Sequence, residues 1–359
     1  MSADIGDAIG GLLATHPQAA GNGGWDEDLG EKATLALARD GWLGVGLHER
    51  LGGQGGGFAD AVAVAEAVSA SGWPSPVADI LFVTNALLTQ AGASQPDGGI
   101  AVVVPVAATS DRPGRVRAHA PWVPWATWAE HLLFVAESAN GQSILVAVDA
   151  TQATVSHRYN LAGAPWGDVE VADAPSVVIG TLPDPADRVV ERIIGAGALA
   201  RSIQVCAALQ QVRDLAVAHA QARIQFGRPL GRFQAVQQNL AMLAGVVAAA
   251  GAAVRQAAGD AHDPFELADN PRLAVAKVQT SVAANEASRL AHQIHGAIGV
   301  TREHELHRHT LAMLSAREEF GTEFVWGARL ATAVGDAPDG WEWLCNMGNQ
   351  AVQEEHNDV

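Results

Sequence analysis

With 359 residues, 48% of them hydrophobic and 17% charged, the chain is long enough for two or three packed domains. A formal charge of −17 leaves no basic block to neutralise a phosphate backbone, which excludes nucleic acid as a partner; a small phosphate-bearing ligand needs only a few local arginines. Two distant cysteines, Cys206 and Cys345, cannot build a disulfide framework, and neither a signal peptide nor an uncharged membrane-spanning run is expected, so the expectation is a soluble cytoplasmic protein with no membrane partner.

From residue 5 to about 90 the pattern reads as helices broken by glycine. Trp42, Leu43 and Val45 precede the loop Leu51-Gly52-Gly53-Gln54-Gly55-Gly56-Gly57, which lacks the Lys-Ser/Thr of a phosphate-binding loop. A helix is expected to start with Asp60 as its N-cap, to break at Pro74 and Pro76, and to be followed by another over 80–88. The turn-rich stretch 92–99 closes a first block, 1–98. Short β-rich runs follow at 101–106, 132–136, 144–148 and 169–171, which predicts a small antiparallel barrel or sandwich over 99–184. Trp122, Trp125 and Trp128 are spaced by three; they suit either the border of a pocket or the packing of this sheet. Leu182-Pro183-Asp184-Pro185 marks the second boundary, and from 189 to about 336 nearly everything favours helix, giving a third block, 185–359. Within it, Gly195-Ala196-Gly197-Ala198-Leu199-Ala200 imitates a dinucleotide-binding turn after the strand-like 189–194. No second strand follows, so the reading is the start of a helix. His292, His295, His304, His307 and His309 lack an H-E-x-x-H or a cysteine pair, so capping and packing are expected and no metal site.

Two segments carry the chemistry. Ala222-Arg223-Ile224-Gln225-Phe226-Gly227-Arg228-Pro229 sets an arginine and an aromatic about one helical turn apart before glycine and proline stop the helix. A guanidinium fork matches the oxygens of a pyrophosphate, and a phenylalanine can pack beside adenine or ribose. The plain alternative is a surface arginine beside a core phenylalanine. Further on, Ala291-His292-Gln293-Ile294-His295-Gly296-Ala297-Ile298-Gly299-Val300-Thr301 adds a carboxamide and a bare backbone near a helix end.

Together the two segments resemble the FAD-binding signatures of the acyl-CoA dehydrogenase family, and the resemblance extends over most of the chain. It implies a mainly α protein with a small β-domain: an N-terminal helical domain, a middle β-barrel or sandwich and a C-terminal four-helix bundle. It further implies that Arg223, Phe226, Gln293, Gly296, Ala297 and Thr322 bind FAD, the first four reaching across a dimer interface to the ADP half of a neighbour's cofactor. The catalytic end departs from the family. Val104-Pro105-Val106-Ala107-Ala108-Thr109-Ser110-Asp111 holds no Thr-Glu-Pro flavin support. In Arg317-Glu318-Glu319-Phe320-Gly321-Thr322-Glu323-Phe324, Phe320 falls on the usual base position and Phe324 on a flavin-contacting one. The alternative base position, near Gly197, offers no carboxylate, and Glu319 is the candidate that a small shift of the loop would bring in. Gly299-Val300-Thr301-Arg302-Glu303-His304-Glu305-Leu306-His307-Arg308 resembles the bacterial branch of heteromeric, steroid-type enzymes. The expected function is FAD-dependent α,β-dehydrogenation of an acyl-CoA, as one subunit of a heterotetramer that completes a partner's FAD site, with an electron-transfer flavoprotein or similar acceptor. The alternatives are a self-sufficient enzyme using Glu319 and a flavin-free structural subunit.

Overall fold

The computed structural model describes residues 2–15, 27–96, 99–259 and 261–346. Helices α1 (Ser2–Thr15), α2 (Glu27–Arg39), α3 (Phe58–Ala70), α4 (Val77–Asp79) and α5 (Asn85–Ala91) form the first block. Gly57, not Asp60, is the N-cap of α3. Asp60 lies one turn inside, and its carboxylate accepts the Gly57 N–H at 2.9 Å, satisfying an otherwise orphaned donor. The helix expected over 80–88 begins as a π-helical turn, Ile80–Thr84, that joins α4 to α5 with every side chain buried. The turn-rich stretch 92–99 lies partly outside the described residues.

Seven strands follow: β1 (Ala101–Arg112), β2 (Arg115–Pro124), β3 (His131–Glu137), β4 (Ser143–Asp149), β5 (Thr154–Tyr159), β6 (Pro165–Pro175) and β7 (Val177–Thr181), in the order β5-β6-β2-β1-β3-β4-β7. The sheet is mixed where an antiparallel one was expected, because β1 and β3 run parallel. β1 also changes partner along its length: its first part pairs with β3 and its end with β2. The register slips between Val103 and Ala107, around Pro105, which has no N–H to give to a ladder. β2 escapes a search for β-rich runs because its inward residues are Val116, Ala118 and Ala120, alternating with exposed Arg117 and His119.

The C-terminal block contains α6 (Ala186–Ala222), the hairpin strands β8 (Ile224–Gln225) and β9 (Arg228–Pro229), α7 (Gln234–Ala258), α8 (Pro271–His295), α9 (Leu306–Glu318), α10 (Glu323–Asp336) and α11 (Gly340–Asn346). At 37 residues α6 runs about 55 Å and packs on α3, α7, α8 and α9, so it is the spine of the molecule. The strand-like 189–194 lies inside α6, and the glycines after it are mid-helix rather than at a helix start. They are there for close approach: a Cβ on Gly197 would lie 2.3 Å from the Phe320 ring. α8 starts cleanly, with Asn270 accepting the Arg272 N–H at 3.0 Å and Pro271 in the first turn.

Contrary to the sequence expectation, two helices are long and apolar enough to cross a bilayer, α6 and α7. The apolar window of α6 is 83% buried within the fold, as a core helix should be, whereas that of α7 is 33% buried and leaves an apolar face uncovered.

Candidate active site

The arginine–phenylalanine segment is not helical. α6 ends at Ala222, Ile224–Gln225 pairs with Arg228–Pro229, and the turn between them is Phe226-Gly227 with φ of 50° and 78°. Two consecutive positive φ values make the tight primed turn that matches strand twist, and Gly227 occupies its half without strain. Phe226 does not; a bulky side chain in that region stores strain, and here its ring is 91% exposed. Arg223 is exposed just before the hairpin, and its guanidinium has no hydrogen-bond or ion-pair partner among the described residues.

Gln293, Gly296 and Ala297 are also exposed, at the end of α8. Gly296 has φ 64°, and a Cβ there would meet nothing within 4 Å, so the surface is open above it. The ends of α6 and α8 meet through the rings of His219 and His295, 4.5 Å apart, which brings the two segments together in space. Thr322 lies elsewhere, half-buried at the N-cap of α10 and making no side-chain cap bond.

The other end of the molecule is built around a closed set of polar contacts. Phe320 has φ 52°, and its ring lies against Gly197. The two places where the resemblance would seat a base therefore face each other, and neither carries an oxygen. Glu319 is buried and held on both oxygens. Ser315 Oγ donates to Oε1 at 2.8 Å, Asn160 Nδ2 donates to the same oxygen at 3.0 Å, and Arg201 Nε donates to Oε2.

Arg201 is the centre of this arrangement. Its Nη1 and Nη2 hold Asp79 Oδ2 and Oδ1 at 3.0 and 2.9 Å, a two-pronged contact, while Nε holds Glu319. Trp125 Nε1 adds a bond to Asp79 Oδ2 at 3.0 Å. Burial works against the guanidinium charge, but the two carboxylates more than offset it, and the Arg201 pKa is raised. One buried cation thus joins α4, the sheet and the α9–α10 turn.

Lys277 supports the same turn from α8. Its buried Nζ donates to the carbonyls of Ala316 and Arg317, at 2.7 and 3.2 Å, capping the C-terminus of α9. Burial pushes its pKa down to about 7. Arg317 grips Glu323 with two nitrogens and Asn285 with a third, at 2.9 Å, so the loop bearing Glu319 and Phe320 is held from both sides.

Beside Phe320 is an open cleft of about 650 Å³, bordered by Pro105, Trp122, Trp166, Ile194, Leu161 and Val325. Trp122 is half-exposed and covered by Arg158 at 4.7 Å, and it meets Trp166 edge-on at 6.4 Å. Trp125 and Trp128 are buried in the packing, so of the three tryptophans Trp122 alone borders the cleft. The space on the other side of Glu319, lined by Trp73, Trp125, Arg201 and Gln204, is only about 60 Å³, room for a few waters.

Asp79, Arg201 and Lys277 were not singled out by sequence reasoning. Each is a lone charge inside an apolar run, in Val77-Ala78-Asp79-Ile80-Leu81, Leu199-Ala200-Arg201-Ser202-Ile203 and Ala274-Val275-Ala276-Lys277-Val278. That is a readable sign of a buried, paired ion.

Two helical blocks flank a mixed sheet, and a ligand-sized cleft lies between that sheet and the C-terminal helices. The sequence pattern of the acyl-CoA dehydrogenase C-terminal domain matches residues 188–334. The acyl-CoA dehydrogenase IpdE2 of Mycobacterium tuberculosis is 28% identical over 302 residues, 83% of this chain and 83% of that protein. The fold is shared with the ChsE4-ChsE5 complex of Mycobacterium tuberculosis, at a TM-score of 0.77 and 22% identity over 94% of this chain and 98% of that one. It is shared too with a steroid ACAD of the Tcur3481-Tcur3483 pair, at 0.75 and 20% over 93% and 98%. Residues 188–334 thus match the acyl-CoA dehydrogenase C-terminal domain, and over most of its length the chain is similar to acyl-CoA dehydrogenases, oxidoreductases acting on acyl-CoA that generally bind FAD.

Proposed function

We propose that this chain is one subunit of a heteromeric acyl-CoA dehydrogenase, and that it completes the FAD site of a partner subunit rather than a site of its own. The observation that carries this reading is the state of Glu319. The nearest carboxylate to the expected base position is buried and already bonded to Arg201, Ser315 and Asn160. A general base must reach a substrate proton and hold a lone pair free for it. Glu319 borders both the 60 Å³ space and the 650 Å³ cleft, so what argues against it as a base is its ion pair with Arg201 rather than a lack of room.

The residues for the ADP half of FAD fit that group. An unpartnered guanidinium at Arg223 suits pyrophosphate, and the exposed Phe226 ring suits a flat nucleoside face. Gln293, Gly296 and Ala297 offer a carboxamide and an unobstructed backbone beside them, and Thr322 is a further contact implied by the family resemblance. FAD, when bound, supplies the acceptor for the β-hydride while a carboxylate removes the proton α to the thioester. In this account that carboxylate belongs to the partner. This chain contributes anion binding at Arg223 and a wall at Phe320 along the cleft.

The uncovered apolar face of α7 supports assembly with a second acyl-CoA dehydrogenase-like subunit, as a heterotetramer. Relatives that work in pairs, ChsE4-ChsE5 and the steroid ACAD Tcur3481-Tcur3483, support a steroid-type acyl-CoA as the substrate class. An electron-transfer flavoprotein or similar carrier would take the electrons, in the cytoplasm. The 650 Å³ cleft favours the second reading, a self-sufficient enzyme with its own flavin ring bound beside Phe320.

Glu319→Gln separates the two. In the assembled complex the account expects acyl-CoA turnover within a few-fold of wild type. A loss of about 10²-fold or more with flavin retained, the usual result of removing a general base, would put the base in this chain.

A further inference from the structure

Three histidines that the dehydrogenase reading leaves unused converge where α6, α8 and the turn before α9 meet. His219 is in the last turn of α6, His295 ends α8, and His304 precedes α9. The His295 ring lies 4.5 Å from that of His219 and 4.8 Å from that of His304, and one ring nitrogen from each falls within 4.8 Å of the others. His295 is oriented from behind: its Nδ1 lies 2.8 Å from the Ala291 carbonyl, so Nδ1 carries the proton and Nε2 holds a lone pair. That Nε2 is buried without a hydrogen-bond partner, in a residue only 6% exposed. Buried acceptors are normally satisfied, and an imidazole whose other N–H is given to a backbone carbonyl is oriented as metal-ligating histidines are.

We propose that His219, His295 and His304 form a binding site for a divalent transition-metal ion of the zinc type, with three imidazole ligands and an open fourth position. Nitrogen-only ligation suits zinc, nickel or copper and disfavours calcium and magnesium, which need oxygen. At a metal–nitrogen distance of about 2 Å, tetrahedral ligands sit roughly 3.4 Å apart, so modest side-chain rotations close the set. His304 now accepts the Leu306 N–H on Nδ1 at 3.1 Å and gives up that one bond on ligation. The bound ion ties the end of α6, four residues before Arg223, to the end of α8, which bears Gln293 and Gly296. It therefore clamps the two segments together, and the site stands whether or not those segments hold a flavin.

The test uses the untagged, full-length chain stripped with a chelator and titrated with zinc chloride by calorimetry and with cobalt chloride by visible absorption. One zinc per chain is expected, with a rise in melting temperature, and a cobalt ligand-field band. His219→Gln and His304→Gln should each weaken binding by about 10–100-fold and reduce the band, while His157→Gln on the exposed face of the sheet changes neither. The cobalt band and the zinc-induced thermal shift of the wild-type chain serve even if a variant folds poorly. Absence of both in the wild type, or equal zinc affinity in the two histidine variants, overturns the proposal.

Discussion

The two ends of the candidate site are built on opposite principles. At the ADP-type surface Arg223, Phe226, Gln293 and Gly296 are exposed, the Arg223 guanidinium has no partner among the described residues, and the chain spends backbone strain to hold Phe226 outward. At the catalytic end every strong polar group is satisfied from within: Arg201 by Asp79 and Glu319, and Lys277 by the carbonyls of Ala316 and Arg317. Open donors cost little in water and wait for a ligand. Closed ion networks are stable because nothing from outside is needed. The contrast separates a surface with open donors from an ion network that is closed on itself beside the 650 Å³ cleft.

The largest effect should come from breaking the closed end. Arg201→Met leaves Asp79 and Glu319 buried without a cation, and removing one partner of a buried pair typically costs about 3–5 kcal/mol. Urea unfolding should show a loss of that order. A change under about 1 kcal/mol would mean that solvent already screens the network, and the contrast between the two ends would fail.

Acid should strain both ends. His295 below the ADP-type surface and His309 below α3 are both pushed down to about 4 by burial, whereas in the unfolded chain they protonate near 6.5. As pH falls, the unfolded state binds protons first, so stability is complete above about 6.5 and declines towards pH 4, by at most roughly 3 kcal/mol from each histidine. Metal-free protein should therefore melt earlier through this window, and His295→Gln should flatten part of the slope. A melting temperature independent of pH from 6.5 to 4 would contradict the burial of these rings.

Arg223→Ala probes the open end alone. Loss of one charge-assisted fork should cost about 1.5–3 kcal/mol, or one to two decades in flavin retention by the assembled complex. The unliganded chain should melt as before, because Arg223 supports nothing within it. Unchanged flavin occupancy would remove Arg223 from the site.

Much of this architecture is written locally, and the part that is not depends on contacts distant in sequence. Helical blocks on either side of a β-rich middle follow from composition and periodicity. The two candidate FAD-binding segments are legible because within each the key residues lie close along the chain, Arg223 with Phe226 and Gln293 with Gly296. The hairpin was read as helix because Ile224 and Phe226 carry the same apolar signal either way. What decides between them is the pairing of Ile224–Gln225 with Arg228–Pro229 across a two-residue turn. The parallel β1–β3 pairing joins strands separated by β2, which a local pattern does not report. Asp79, Arg201 and Glu319 meet only in the fold, as do His219 and His295, so neither cluster could be assembled by reading along the sequence. Four aromatic residues with positive φ, Trp122, Trp125, Phe226 and Phe320, mark the same zones, and backbone strain at such residues is invisible before the structure.

The central claim is that this chain supplies half of a flavin site and completes it only with a different subunit. Native mass spectrometry of the chain co-expressed with an acyl-CoA dehydrogenase-like partner, with flavin quantified after denaturation, tests it directly. The account predicts a heteromer with about one FAD for every two chains and no flavin on this chain alone. A homotetramer of this chain carrying one FAD per subunit and oxidising an acyl-CoA would contradict it.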